Sequence, residues 1–205
     1  MKLIDKVYTA NFKQLFKKKG YKYFENGSYN LNIIGVRSKE RVNNNTFDDY
    51  LIVEYKDSYG KWIRNVFSIT TNPGVSSLVN PCNHSGCAIL VPGQWRQSWT
   101  FGLHKNKYRA LVQDKPVTVY RDNNKDKNLD YNVKTQTGMF GINIHKAGEN
   151  SIYVNDWSAG CQVFKKHSDF NTFMKLCDIQ KNVGLGDKFT YTLIDEKDFE
   201  LIGIL

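Results

Sequence analysis

His145 closes the alternating run Met139-Phe140-Gly141-Ile142-Asn143-Ile144-His145, and Cys161 follows in the tetrad Ser158-Ala159-Gly160-Cys161. A thiol is a useful nucleophile only as thiolate, and an imidazole within hydrogen-bond reach is one way of bringing its pKa toward neutrality. The pair therefore offers acyl transfer, with His145 as base and Cys161 as attacking group. Ala159 and Gly160 are small enough to let a substrate carbonyl approach the backbone, whose N–H groups around Gly160 would hold the oxyanion. Ser158 is placed to shape the loop and to hydrogen-bond near the thiol, and Asp156 is a candidate for orienting the His145 ring. The competing reading is a buried structural thiol and a core histidine.

Positioning such a pair needs rigid elements. The run ending in His145 has the period of a half-buried strand. Lys146 to Ser151 reads as a turn, Ile152-Tyr153-Val154 as a short returning strand, and Asn155 to Gly160 as a tight loop. Downstream, Phe170, Phe173, Met174 and Cys177 share one face of a helix over 168–182, with Ser168 or Asp169 as N-cap and Gly184-Leu185-Gly186-Asp187 as its stop. Lys188 to Ile194 reads as a final strand, and period-two runs occur at Leu51–Tyr55, Trp62–Ile69 and Val117–Tyr120. A mainly β fold (β-rich α+β) is expected, with a helix over Leu3–Lys19 ending in a basic turn and Gly20.

His145, the intervening turn, Ser158-Ala159-Gly160-Cys161 and the helix and strand that follow resemble the catalytic motif of the L,D-transpeptidase family. That family remodels peptidoglycan through a cysteine acyl-enzyme. Its pattern is a His, a spacer of similar length, Ser or Thr, His, Gly, Cys, and then an apolar residue and Arg. Ala159 stands where the second His lies, and Gln162-Val163 replace the apolar-Arg pair credited with binding a substrate carboxylate. The likeness is specific over 141–194, loose over 32–120 and absent before that. A nearer likeness is to phage-encoded members with a Ser-Ala-Gly-Cys motif, a lysine-rich first helix and a strand like Tyr29–Gly35. The resemblance implies an L,D-transpeptidase-like β-sandwich or barrel, with residues 1–30 as a helical appendage and 31–205 as one catalytic domain. It implies a cell-wall hydrolase of the endolysin or virion-associated kind, acting on peptidoglycan stem peptides. Cys161, His145 and Ser158 would be catalytic, Gly160 and Ala159 would line the oxyanion site, and no cofactor or metal is needed. The alternatives are cross-link formation by the same dyad, a protein-directed cysteine protease or amidase, and an inactive phage structural or wall-binding part.

At 205 residues the chain supports one full core, and no linker or repeat divides it. The net charge of +9 implies an anionic partner. Anionic cell-wall polymers qualify, whereas scattered Lys without clustered Arg and stacking aromatics argues against specific nucleic-acid binding. The first helix is too short and charged for a membrane span and lacks the apolar core of a signal peptide, so synthesis in a host cytoplasm and action at the wall are expected. Four cysteines without a signal peptide read as free thiols, Cys177 among them as core. Cys82, His84 and Cys87 could supply three zinc ligands on one loop, but no fourth lies nearby, and a loop with incidental thiols is the preferred reading. Asp122, Asn124, Asp126, Asn128 and Asp130 alternate like the start of a calcium loop, yet Lys127 takes the Gly position and Val133 the Glu position. That stretch is read as a polar hairpin loop.

Overall fold

A computed structural model describes residues 1–39, 45–149 and 151–205. The protein is β-rich α+β. Eight strands close into a barrel: β1 (Asn32–Arg37), β2 (Asp49–Lys56), β3 (Trp62–Thr70), β5 (Gly93–His104), β6 (Tyr108–Gln113), β9 (Ile144–Lys146), β10 (Gln162–Phe164) and β11 (Lys188–Asp195). Their order around it is β1-β11-β5-β6-β9-β10-β3-β2, with β1/β11 and β9/β10 parallel and the other pairs antiparallel. A second sheet, in the order β4-β7-β8, is built from β4 (Cys87–Leu90), β7 (Val117–Asp122) and β8 (Thr135–Gly138).

Alternation sets which side chains fill the barrel. Ile33, Leu51, Val53, Ile69, Trp99, Leu111, Ile144, Phe164 and Tyr191 belong to the interior cluster, while Ile34, Val36, Ile52 and Ile194 belong to a second one outside. Tyr191 reaches its place because β1 offers Gly35 diagonally across from it, two residues past its register partner Ile33: a Cβ at Gly35 would come within 1.8 Å of the Tyr191 hydroxyl oxygen. α4 (His167–Gln180) buries Phe170, Phe173, Met174 and Cys177 against that interior cluster, as the helical spacing predicts. Its N-cap is Lys166, without a side-chain bond, so neither Ser168 nor Asp169 caps it. A wider turn over Lys181–Leu185 then ends it, with Gly184 at φ 85°.

The single helix expected over Leu3–Lys19 is two: α1 (Leu3–Thr9) and α2 (Phe12–Lys19). Asn11 breaks the run because its side chain accepts from the Gln14 N–H and so starts a new helix. Both helices dock on the outer face of the barrel. Val7, Ala10, Phe12, Leu15 and Phe16 form one cluster with Ile34, Val36, Ile52, Ile194 and with Phe199 of a C-terminal 3-10 helix, Glu196–Ile202. Lys6–Glu196 and Lys19–Asp198 ion pairs close the same contact. Residues 1–30, expected as an appendage, thus share a core with the barrel. The short α3 (Val75–Val79) and the 3-10 helix have no expected counterpart. Among the described residues no helix is long and apolar enough to cross a membrane.

Candidate active site

The strand expected over Met139–His145 is strand only from Ile144 onward, and Ile152–Val154 is irregular. Alternation survives in 139–143 without a backbone ladder because side chains stand in for a neighbouring strand. Gln113 Oε1 accepts from the N–H groups of Phe140 (3.0 Å) and Ile142 (3.1 Å), and its Nε2 donates to Gly138 O and Lys115 O at 2.9 Å each. Trp99 Nε1 donates to Ile142 O at 2.7 Å.

Parallel pairing then places Cys161. β10 follows Cys161 directly, with Gln162 opposite Ile144 and Val163 opposite His145. One step back, Cys161 lies beside Asn143, whose N–H donates to Sγ at 3.4 Å, while the thiol donates to Gly141 O at 3.4 Å. Cys161 and His145 therefore share one face of the strand pair as diagonal neighbours, a relation that puts such residues roughly 7–8 Å apart, within reach of a long or aromatic side chain.

His145 is buried, and its tautomer is fixed by its partners. Nδ1 lies 2.9 Å from Lys146 O, which can only accept, so Nδ1 carries the hydrogen. The Tyr108 hydroxyl also donates to Lys146 O at 3.1 Å, and its oxygen stands 3.2 Å from the same Nδ1. Nε2 keeps its lone pair, is buried, and has no partner among the described residues. The ring is thus oriented by a backbone carbonyl. Asp156, the candidate for that task, is exposed.

A second imidazole lies over the first. His104, at the end of β5, stacks on His145 with centroids 3.8 Å apart and planes at 18°. Asn143 Oδ1 accepts from Gln113 N at 3.1 Å, which turns its Nδ2 toward His104 Nδ1 at 3.1 Å. His104 consequently accepts at Nδ1, the opposite tautomer from His145. Burial, the neighbouring His104 and Lys105 push His145 down to about 3, against the Lys146 carbonyl. Burial likewise pushes the Cys161 thiol up to about 11, against the Asn143 N–H and Lys105. At neutral pH the pair is thiol and neutral imidazole rather than the ion pair the residue types suggest.

The loop before Cys161 is braced by Ser158. Its buried hydroxyl donates to Cys161 O at 2.9 Å and accepts from Gly160 N at 3.1 Å. Ser158 thus shapes the loop beside the thiol, and its hydroxyl occupies the Gly160 N–H. The Cys161 N–H itself meets no acceptor among the described residues. Gly160 sits at φ 131°, with Ala88 O only 1.9 Å from where a Cβ would lie, so glycine is required there. Gln162, fully buried, accepts from the Tyr191 hydroxyl at 2.8 Å and donates to Gly160 O at 3.2 Å, tying the loop to the barrel interior.

Cys161 is half-buried and opens, with exposed Ala159, into a cavity of about 410 Å³ between the seam and the β4-β7-β8 sheet. Of the remaining motifs, the loop that carries Cys82 and Cys87 lines the same cavity. Cys82 is exposed, Cys87 is buried with its thiol donating to Ser77 O at 3.1 Å, and among the described residues no three His, Cys, Asp or Glu gather to hold a metal. In the 122–130 stretch, Asp122 accepts from Asp130 N and Asp126 from Asn128 N, so these carboxylates fold their own loop between β7 and β8.

His104, Tyr108, Asn143, Gln113 and Gln162 were not singled out by residue type. His104 and Tyr108 flank the polar turn Lys105-Asn106-Lys107, a hairpin signal, but nothing local says that this hairpin reaches β9. No family model, curated protein or solved structure matches the chain.

Proposed function

We propose that the protein is a cysteine-dependent peptidoglycan hydrolase of L,D-transpeptidase type, of the endolysin or virion-associated kind, that cleaves stem-peptide bonds through a Cys161 acyl-enzyme. One observation carries this reading. His145 has its Nδ1 locked by the Lys146 carbonyl and its Nε2 unpartnered, on the same face of a strand pair as a thiol that opens into a cavity. A buried polar nitrogen left without a partner is costly in a merely structural role.

The chemistry follows from the protonation states. The Cys161 proton passes to His145 Nε2 as sulfur attacks the peptide carbonyl carbon, and the carbonyl oxygen becomes an oxyanion within reach of the Cys161 N–H. Collapse breaks the C–N bond, and the leaving amine takes the proton from His145. Water, deprotonated at the same Nε2, then attacks the thioester, releasing a carboxylic acid and restoring the thiol. Because both groups rest neutral, proton transfer and attack are coupled.

The raised thiol pKa is also what an idle site would have, so the reading of an inactive wall-binding part stands as its rival. Bacterial sacculi incubated with wild type and Cys161→Ala, with products read by mass spectrometry, separate the two. Wild type is expected to release stem-peptide fragments, and Cys161→Ala is expected to fall at least ~10³-fold, the scale of losing a nucleophile. No release by wild type sinks the hydrolase reading.

A further inference from the structure

Among the described residues that line the cavity beside Cys161, Arg121 of β7 is the one charged side chain. It is half-buried and held on three sides. Nε donates to Gln136 Oε1 at 2.8 Å, Nη1 donates to Gly86 O at 3.1 Å, and the guanidinium lies 4.7 Å from the centroid of the Phe140 ring. Two of its neighbours lead to the nucleophile. Phe140 precedes Gly141, whose carbonyl accepts from the Cys161 thiol. Ala88, the register partner of Arg121, presents the carbonyl that abuts Gly160.

The outer nitrogen, Nη2, has no partner among the described residues. A guanidinium stays charged at any working pH, and its planar fork matches a carboxylate in two parallel hydrogen bonds. Fixing the plane beforehand removes much of the ordering cost of binding. The other described lining groups are neutral, among them Gln136, Met139 and Ile142, so none of them is a carboxylate that would occupy the arginine itself.

We infer that Arg121 selects the substrate by binding a carboxylate of the peptide whose amide Cys161 attacks. The inference rests on the reading of Cys161 as nucleophile. It makes the preferred substrate an acidic peptide, with the anionic group and the scissile carbonyl held in one cavity.

The test separates binding from chemistry by using Cys161→Ala protein in calorimetry. The probes are an N-acetylated stem tetrapeptide with its carboxylates free and the same peptide fully amidated. The acid is expected to bind about tenfold more tightly, the scale of one charge-assisted contact. Adding Arg121→Met should bring the two within about twofold, and Arg121→Lys should retain only part of the preference because it lacks the fork. A preference that survives Arg121→Met, or an acid form that does not bind, overturns the inference. Should Arg121→Met fail to fold, as judged by melting, Arg121→Lys decides alone, and an unchanged preference there overturns it. Failure of the cysteine reading shows separately, as wild type releasing nothing from sacculi whatever the calorimetry gives.

Discussion

β2 and β3 pair over eight positions, from Asp49 opposite Ile69 to Lys56 opposite Trp62, whereas β9 is three residues long and meets β6 at the single pair Leu111–Ile144. In the first region the backbone ladder is enough. In the second, Gln113, Trp99, Asn143, Ser158 and Gln162 supply hydrogen bonds that a longer strand would have supplied from its main chain. A continuous ladder occupies every N–H and C=O, leaving none for a substrate. Where it lapses, backbone groups such as Asn143 N and Gly141 O are released to hold a thiol, and the side chains that replace the ladder become indispensable.

If that contrast is right, Gln113→Leu should be the most damaging change in the seam. It orphans four backbone groups at about 1–3 kcal/mol each, a sum comparable with the whole stability of about 5–15 kcal/mol for a domain. Urea unfolding should show a collapse of stability, and a loss under about 1 kcal/mol would mean that the seam does not depend on this side chain.

The seam should also be where acid acts first. Folded His145 resists protonation down to about 3, against an ordinary 6.5, so below 6.5 the unfolded chain takes up a proton that the folded one refuses. Stability therefore falls as pH drops from 6.5 toward 3, by up to roughly 5 kcal/mol at about 1.36 per unit, and His104, also lowered by burial, adds to the same limb. Cys161 gives the opposite limb: its unfolded thiol ionises near 9 and its folded one near 11, so stability falls between those values. Melting temperature across pH should be flat between the two limbs, and hydrogen exchange at pH 5 should lose protection first at 144–146 and 162–164. Loss beginning in β2 or β3 would contradict the comparison.

A smaller effect is expected from Ser158→Ala. Removing the hydroxyl that joins Gly160 N to Cys161 O should cost about 1–2 kcal/mol and speed alkylation of Cys161, because loosening the loop exposes a thiol that burial keeps protonated. Unchanged alkylation would show that Ser158 braces nothing that the thiol feels.

The same contrast explains what could be read from residue order. Cys161 and His145 are close in sequence, so the run and the tetrad pointed to the pair, but the returning strand is β10 in parallel pairing and not the expected Ile152–Val154. β2, β3, β11 and α4 were legible, because their periodicity is long enough to be distinctive, whereas β5 and β6 were not read. The stretch 139–143 was not, because Phe140, Ile142 and Ile144 alternate whether their backbone is met by a strand or by Gln113. His104 lies far upstream and reaches His145 only because β5 and β6 curl around the barrel. The thiol's raised pKa was missed for a related reason: residue types suggest an ion pair, while burial decides the charge.

Around the barrel, β1 stands four strands from β9 in either direction, and it is on the outside of β1 and its neighbours that the first helices and the last 3-10 turn meet. Phe12 and Phe199 touch there, with ring centroids 6.0 Å apart. Anything joined at Met1 or Leu205, whether an affinity handle, a fluorophore or another domain, would leave from the back of the molecule. The cleft would remain unobstructed, so activity in such fusions should not depend on which end carries the cargo.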